Sequence, residues 1–319
     1  MPDPAPVISA RLPAKRVIPS SSRARLRSCN PPAVEIAVRA NAKLAEGPRW
    51  DAVTRRLLWV DIEGCELHVL ESGKDRAIGL EATVSAAAPT TGGAAIVALA
   101  DRLALVDLAD ESVRTLVRLP HGPAVRSNDG ACDAAGRFWI GTMGLDLTPG
   151  AGALYRYDGR LERVLDGVTL SNGLGWTRDD TRMYYIDSAV YRVDVFDFEL
   201  ASGRLDERRP FVSIEKSDGI PDGLTVDDEG GVWVALYGGS CVRRYDDRGR
   251  LDAVLEVPAE NVTSCCFGGD DGRSLFVTTA APDGNVYVTQ PGVSGPPAHV
   301  FHAGGTRTAP LDAEDTSAR

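Results

Sequence analysis

Short β-branched and aromatic runs recur along this chain of 319 residues at a nearly fixed interval. The runs RLLWVDI (56–62), RFWIGTM (137–143), RMYYIDS (182–188), GVWVALY (231–237) and SLFVTTA (274–280) each follow a cluster of Asp, Gly or Thr. Runs of this composition bounded by turn residues are strand signals. Trp59, Trp139, Tyr185, Trp233 and Phe276 mark equivalent places, with gaps of 80, 46, 48 and 43 residues. The first gap is nearly double the others, and a weaker unit, GGAAIVALADRLALVD (92–107), lies within it. A second hairpin follows most runs, as in ELHVLES, GALYRYDG, YRVDVFDFELASGRL and SCVRRYDDRGRL. The chain therefore divides into about six units of ~45 residues with about four strands each, the pattern of a β-propeller. No segment carries a long 3.6-residue apolar period, so little helix is expected.

The physical reason is burial. One four-stranded sheet cannot cover both of its apolar faces, whereas blades stacked around an axis cover each other and leave only short edges. The ring must close, and AVEIAVRA (33–40) is expected to join a last blade containing NVYVTQ (285–290) and AHVFH (298–302). The expected organisation is an all-β, six-bladed propeller of four-stranded antiparallel blades over 33–303. A disordered basic extension over 1–32 precedes it, and a flexible tail over 304–319 follows.

Charge and cysteine content narrow the function classes. Lys+Arg total 35 and Asp+Glu 45, a net charge of −10. Residues 1–32 hold six basic side chains against Asp3 alone, so the remainder carries 29 − 44 = −15. An acidic body argues against a nucleic-acid partner, which needs a basic face. No apolar run approaches the ~18 residues of a membrane span. The six cysteines form no C-x-x-C spacing and read as free thiols of a reducing, cytoplasmic compartment. The sequence leaves oligomeric state open.

Register carries the functional argument. The first strand of each propeller blade lines the central channel, so equivalent positions of different blades converge near the axis. Counting back 11 or 13 residues from the aromatic anchors gives Glu46, Asn128, Asn172, Asp222 and Thr263. The first four are followed at once, or one residue later, by Gly. Taken singly, Asn-Gly and Asp-Gly are turn signals. Taken together, they place several polar groups around a narrow channel, which is costly unless they are compensated. A divalent cation offsets that cost, since carboxylate and amide oxygens suit Ca²⁺, Mg²⁺ or Mn²⁺ and can hold Zn²⁺ or Fe²⁺. No G-x-S-x-G elbow is present, and His68, His121, His299 and His302 have neither zincin nor triad spacing.

The ordered set EGPRW…LLWVDIEG (46–64), RSNDGACDAAGRFWIGTM (126–143), GALYRYDG (152–159), LSNGLGWTRDD…MYYIDS (170–188) and DGIPDGLTVDDEGGVWVA (218–235) resembles the SMP-30/gluconolactonase family, which includes regucalcin-like sugar lactonases. The resemblance covers about residues 35–300. It implies a six-bladed propeller with one divalent metal ion on the axis, held by Glu46, Asn172 and Asp222. It implies substrate contacts from Arg126 and Asn128, with Asp146 as the nearest match to an acidic residue after the G-T-M motif. The reaction so implied is hydrolysis of a sugar lactone, an aldonolactone, to the aldonic acid, with Asp222 as general base. Two rivals stand beside it: another metal-dependent esterase or lactonase on the same scaffold, and a non-enzymatic Ca²⁺-binding propeller.

Overall fold

A computed structural model of the protein describes residues 33–302. The expected basic extension over 1–32 and the tail over 304–319 lie outside the described residues. Six four-stranded antiparallel sheets account for nearly all regular structure, and the only helical pieces among the described residues are two short 3₁₀ turns, Ser188–Val190 and Lys216–Asp218. The sheets are the blades of a six-bladed β-propeller.

The inner strands are Ala45–Asp51, Val84–Pro89, Val125–Cys132, Ser171–Trp176, Ile220–Val226 and Val262–Gly268, in blades 1 to 6. Within blades 1 to 5 the chain runs from the inner strand outward in order. Blade 6 is closed differently: its outermost strand is Glu35–Val38, which pairs antiparallel with Val286–Thr289. The first described strand thus completes the last blade, as expected from AVEIAVRA.

AHVFH departs from expectation, because it is not a strand of blade 6. The Glu35–Val38 strand already occupies the edge that AHVFH would need. Residues 291–302 instead cross the lower face of the ring. Ser294 O accepts from Asp228 N (2.9 Å), and Gly295 N donates to Gly272 O (3.0 Å). Ala298 N then reaches Trp50 O (3.2 Å), Phe301 N reaches Pro89 O (2.8 Å), and His302 N reaches Gly136 O (3.1 Å). This strap touches blades 5, 6, 1, 2 and 3 in turn.

The apolar core is six separate clusters, each between two neighbouring blades. Leu58, Val60, Leu67 and Val69 of blade 1 pack on Val84, Ala87, Val97 and Val106 of blade 2. Trp139 and Leu154 of blade 3 pack on Trp176, Met183 and Phe198 of blade 4. Trp233 and Val242 of blade 5 pack on Cys265, Phe267 and Val277 of blade 6. The five aromatic anchors all sit on second strands and are buried. Outer strands alternate little and stay wet, as in Val113–Arg118. Two of the anchors, Trp139 and Trp233, are held by the turn acids that precede them. Asp133 accepts from Ala135 N, Arg137 N, Arg137 Nε and Trp139 Nε1 at 2.6–3.1 Å. Asp227 accepts from Glu229 N, Gly231 N, Trp233 Nε1 and Arg244 Nε at 2.6–3.0 Å. In blades 3 and 5 the Asp/Gly cluster before the aromatic run is therefore a structural latch: the acid caps the lower turn and fixes the indole.

Candidate functional site at the upper hub

The inner strands share one irregularity. Each loses register with its neighbour at the same height: Glu46 to Arg49, Val84 to Ala86, Ser127 to Gly130, Ser171 to Leu174, Pro221 to Leu224 and Val262 to Ser264. A bulge re-aims side chains that a regular ladder would send into the blade interface. The residues so released include Asn128, Asp129, Asn172, Asp222 and Thr263, and Glu46 borders the first bulge. The recurrent offset from the aromatic anchors is this bulge seen in the sequence.

The bulges bring the side chains of blades 3, 4 and 5 into one network. Asn128 Nδ2 donates to Asn172 Oδ1 (2.6 Å) and to Ser171 O (2.8 Å). Arg126 Nη1 donates to Asn128 Oδ1 (2.8 Å) and Ser127 O (2.7 Å). Asn172 Nδ2 donates to Ser188 Oγ (2.7 Å), and that hydroxyl donates to Pro221 O (2.5 Å), one residue before Asp222. Two glycines permit the approach. A Cβ on Gly173 would lie 2.8 Å from Asp222 O, and one on Gly223 would collide with Ser264 Oγ. Inner strands of adjacent blades therefore touch backbone to backbone where the polar side chains diverge.

The electrostatics of the hub are unusual. Glu46, Asn128, Asp129, Asn172 and Asp222 are all buried. Burial and the charge of Asp129 push the Glu46 carboxyl up to about 8, against smaller opposing effects of Gly47 N–H, Arg49 and Arg126. Burial, Glu46 and Asp129 push Asp222 well above the ordinary carboxylate range, with Arg126 opposing. Burial raises Asp129 as well, against the pull of Arg49. Three buried acids at the hub are thus all raised, with too little positive charge around them.

That shortfall is what a divalent cation would correct. Two carboxylates and an amide oxygen, Glu46, Asp222 and Asn172, form a hard oxygen donor set. Among the described residues no group of three or more His, Cys, Asp and Glu could hold a metal ion, and the hub set, with its amide, lies outside that composition. The residues present fit a divalent cation by donor type and by charge.

Of the residues singled out in the sequence, Arg126, Asn128 and Asn172 lie in this hydrogen-bond network, and Glu46 and Asp222 act on Arg126 by charge. Asp146 does not join it. Asp146 sits on an exposed loop and accepts from Thr148 N (3.0 Å) and Thr148 Oγ1 (2.8 Å), while the acids acting on Arg126 are Glu46, Glu63 and Asp222. Thr263 Oγ1 turns to Ala45 O (2.6 Å) and Thr278 Oγ1 (2.8 Å).

Several hub residues escaped the sequence reading. Asp129 is the acid beside Asn128 in RSNDG; one bulge carries both inward. Arg49 crosses the shaft below it, donating to Gly130 O (2.9 Å) with Asp129 Oδ1 at 3.5 Å. Ser188 orients Asn172, and Ser264 Oγ is buried without a partner. Ser85 fills the bulge of blade 2 and meets Ser127 Oγ at 2.7 Å. Of these only Asp129 had a signal, its place in the motif.

A sequence model described as "SMP-30/Gluconolactonase/LRE-like region" matches residues 44–281. The regucalcin of Danio rerio is 37% identical over 254 residues, covering 77% of this chain and 86% of that protein. A Bacillus subtilis protein, YvrE, whose name proposes a sugar lactone lactonase, is 37% identical over 246 residues, covering 75% and 84%. Among solved structures, a regucalcin from Agrobacterium tumefaciens, described as a calcium-binding protein, superposes with a TM-score of 0.81 at 28% identity, covering 85% of this chain and 98% of its own. A gluconolactonase from Xanthomonas campestris shares the fold with a TM-score of 0.68 at 22% identity, covering 86% and 99%.

Proposed function

The chain belongs to the SMP-30/gluconolactonase/LRE-like family, and on that premise we propose that it hydrolyses a sugar lactone to the aldonic acid with the help of one divalent cation. The observation that carries the reading is the buried hub itself. Glu46 and Asp222 are carboxylates with raised affinity for protons, Asn172 adds an amide oxygen, and Arg126 stands over them. The relatives supply the substrate class, through a name that proposes sugar lactone lactonase and a structure titled as a gluconolactonase.

Lactone hydrolysis adds water to the ring carbonyl carbon and breaks the ring C–O bond; one proton of the water goes to the leaving ring oxygen, giving a hydroxyl, and the new acid releases the other to solvent, giving a carboxylate. Glu46, Asn172 and Asp222 would hold the cation. When bound, the cation supplies Lewis-acid chemistry, polarising the carbonyl and lowering the pKa of water. Asp222, ionised, takes the proton from the attacking water, a role typically worth about 10²–10⁴ in rate. Arg126 spends Nη1 on Ser127 O and Asn128 Oδ1, which leaves the rest of its fork for substrate oxygens. Asn128 fixes that fork on one side and the Asn172 oxygen on the other, and its own oxygen keeps a lone pair for a substrate hydroxyl.

The test is a pH-indicator assay over glucono-, xylono-, arabinono- and galactonolactones, run with chelator and then with single cations restored. Acid release from at least one lactone, lost with chelator and recovered with a divalent cation, is expected. No acid release from any lactone in the presence of every cation would overturn the reading.

A further inference from the structure

We propose that Glu63 and Tyr237 form a second half of the substrate site, a rim that reads the hydroxyl groups of the lactone opposite Arg126. The inference rests on the lactonase reading and adds the residues that select polyhydroxylated rings.

Glu63 lies at the tip of a rigid turn on the upper face. Ile62 N donates to Leu44 O (3.0 Å) and Cys65 N to Ile62 O (3.3 Å). The Asp61 carboxylate accepts from Lys43 N (2.9 Å), Leu44 N (3.0 Å) and Gly64 N (3.0 Å). A Cβ on Gly64 would lie 2.5 Å from Asp61 Oδ2, so the turn admits no side chain there. The turn is thus tied to the segment that enters the inner strand of blade 1, two residues before Glu46. Glu63 is exposed at its tip, and among the described residues its carboxylate makes no hydrogen bond or ion pair; only its backbone oxygen accepts, from Lys43 Nζ (3.3 Å).

Tyr237 ends the second strand of blade 5, opposite Ile220 and close above Asp222 in the ladder. Its backbone is buttressed: Gly219 has φ 121°, and a Cβ there would lie 2.9 Å from Tyr237 O. The ring is half-buried, and its hydroxyl has no hydrogen-bond partner among the described residues. The charges of Asp222 and Glu63 both act on this phenol, and Glu63 also acts on Arg126. Glu63 on the upper turn of blade 1, Arg126 at the upper entry of the blade 3 inner strand and Tyr237 at the upper end of the second strand of blade 5 thus stand on the hub face of alternate blades. They offer an acceptor, a cationic donor and a group that can do both. A ring bearing several hydroxyls needs this mixture, and a bare ring has no use for it. Asp146, the acid that the resemblance offers as a substrate contact after the G-T-M motif, accepts from Thr148 on its own exposed turn.

The experiment compares wild type with Glu63→Gln and Tyr237→Phe. For each, kcat/KM is measured on the aldonolactones of the panel and on δ-valerolactone, which has no hydroxyls. Cation affinity is measured in parallel by calorimetry. For Glu63→Gln the ratio of aldonolactone to δ-valerolactone kcat/KM is expected to fall about tenfold, chiefly through KM, as loss of a charge-assisted hydrogen bond requires. Tyr237→Phe should lower it about threefold. A ratio within twofold of wild type for both variants overturns the rim assignment, as does a fall matched by an equal loss of cation affinity. Wild type that turns over no aldonolactone overturns the lactonase reading, and the rim with it.

Discussion

Two sets of buried carboxylates at opposite ends of the inner strands have opposite fates. At the lower end, Asp133 and Asp227 each receive four hydrogen bonds, from turn amides, an indole and a guanidinium. At the upper end, Asp222 receives no hydrogen bond among the described residues, and Glu46 receives only Gly47 N at 2.9 Å. Burial is the same, and satisfaction is not. A buried carboxylate with a complete set of donors is part of the scaffold. A group of them without donors, facing one another, stores electrostatic cost that only a ligand of opposite charge removes.

Substitutions at the two ends should therefore separate activity from stability. The largest effect is expected for Asp222→Ala, which should lower turnover by about 10²–10⁴-fold with the melting temperature held or raised, since a repelled acid is removed. Steady-state assays beside thermal unfolding check this, and a large loss of stability in that variant would break the contrast. Asp227→Ala should do the reverse. It leaves Arg244 and the Trp233 indole without their acceptor, at a cost of about 3–5 kcal/mol, while the folded fraction keeps kcat within a few-fold. Denaturant titration measures the first and active-site-normalised kinetics the second.

Smaller effects sharpen the same contrast. Ser188→Ala removes the group that orients Asn172 and is expected to weaken cation affinity by roughly tenfold, as loss of an outer partner usually does. Unchanged affinity in a calorimetric titration would detach Ser188, and the orientation of Asn172, from the cation. Asp146→Ala should change kcat/KM less than twofold, because its carboxylate serves only its own exposed turn. A tenfold loss would return that residue to the substrate site.

Much of this was legible in the sequence, for a geometric reason. Each blade that has an aromatic anchor spends 11 or 13 residues between the hub bulge and that anchor on its second strand. Sequence offset therefore maps to height, and Glu46, Asn128, Asn172 and Asp222 fall out by counting. Blade 2 was faint because its second strand, Ala95–Leu99, reads AIVAL and carries no aromatic anchor to count from. Arg49 was invisible because its contacts cross to blade 3, and no spacing within one repeat encodes another blade; Ser188 meets Asn172 within blade 4 but lies in the turn after the second strand, outside the offset that was counted. AHVFH alternates like a strand, yet strand character does not say which edge is vacant, and Glu35–Val38 had taken it.

The upper hub is most directly tested by calorimetric titration of chelator-treated protein with Ca²⁺ and Mn²⁺. One ion should bind per chain in wild type and in Asp146→Ala, weaken on Asn172→Ala, and fail to bind on Asp222→Ala or Glu46→Ala. Binding that survives undiminished in those last two variants, or no binding by wild type, would contradict the assignment of Glu46, Asn172 and Asp222 as the cation's ligands.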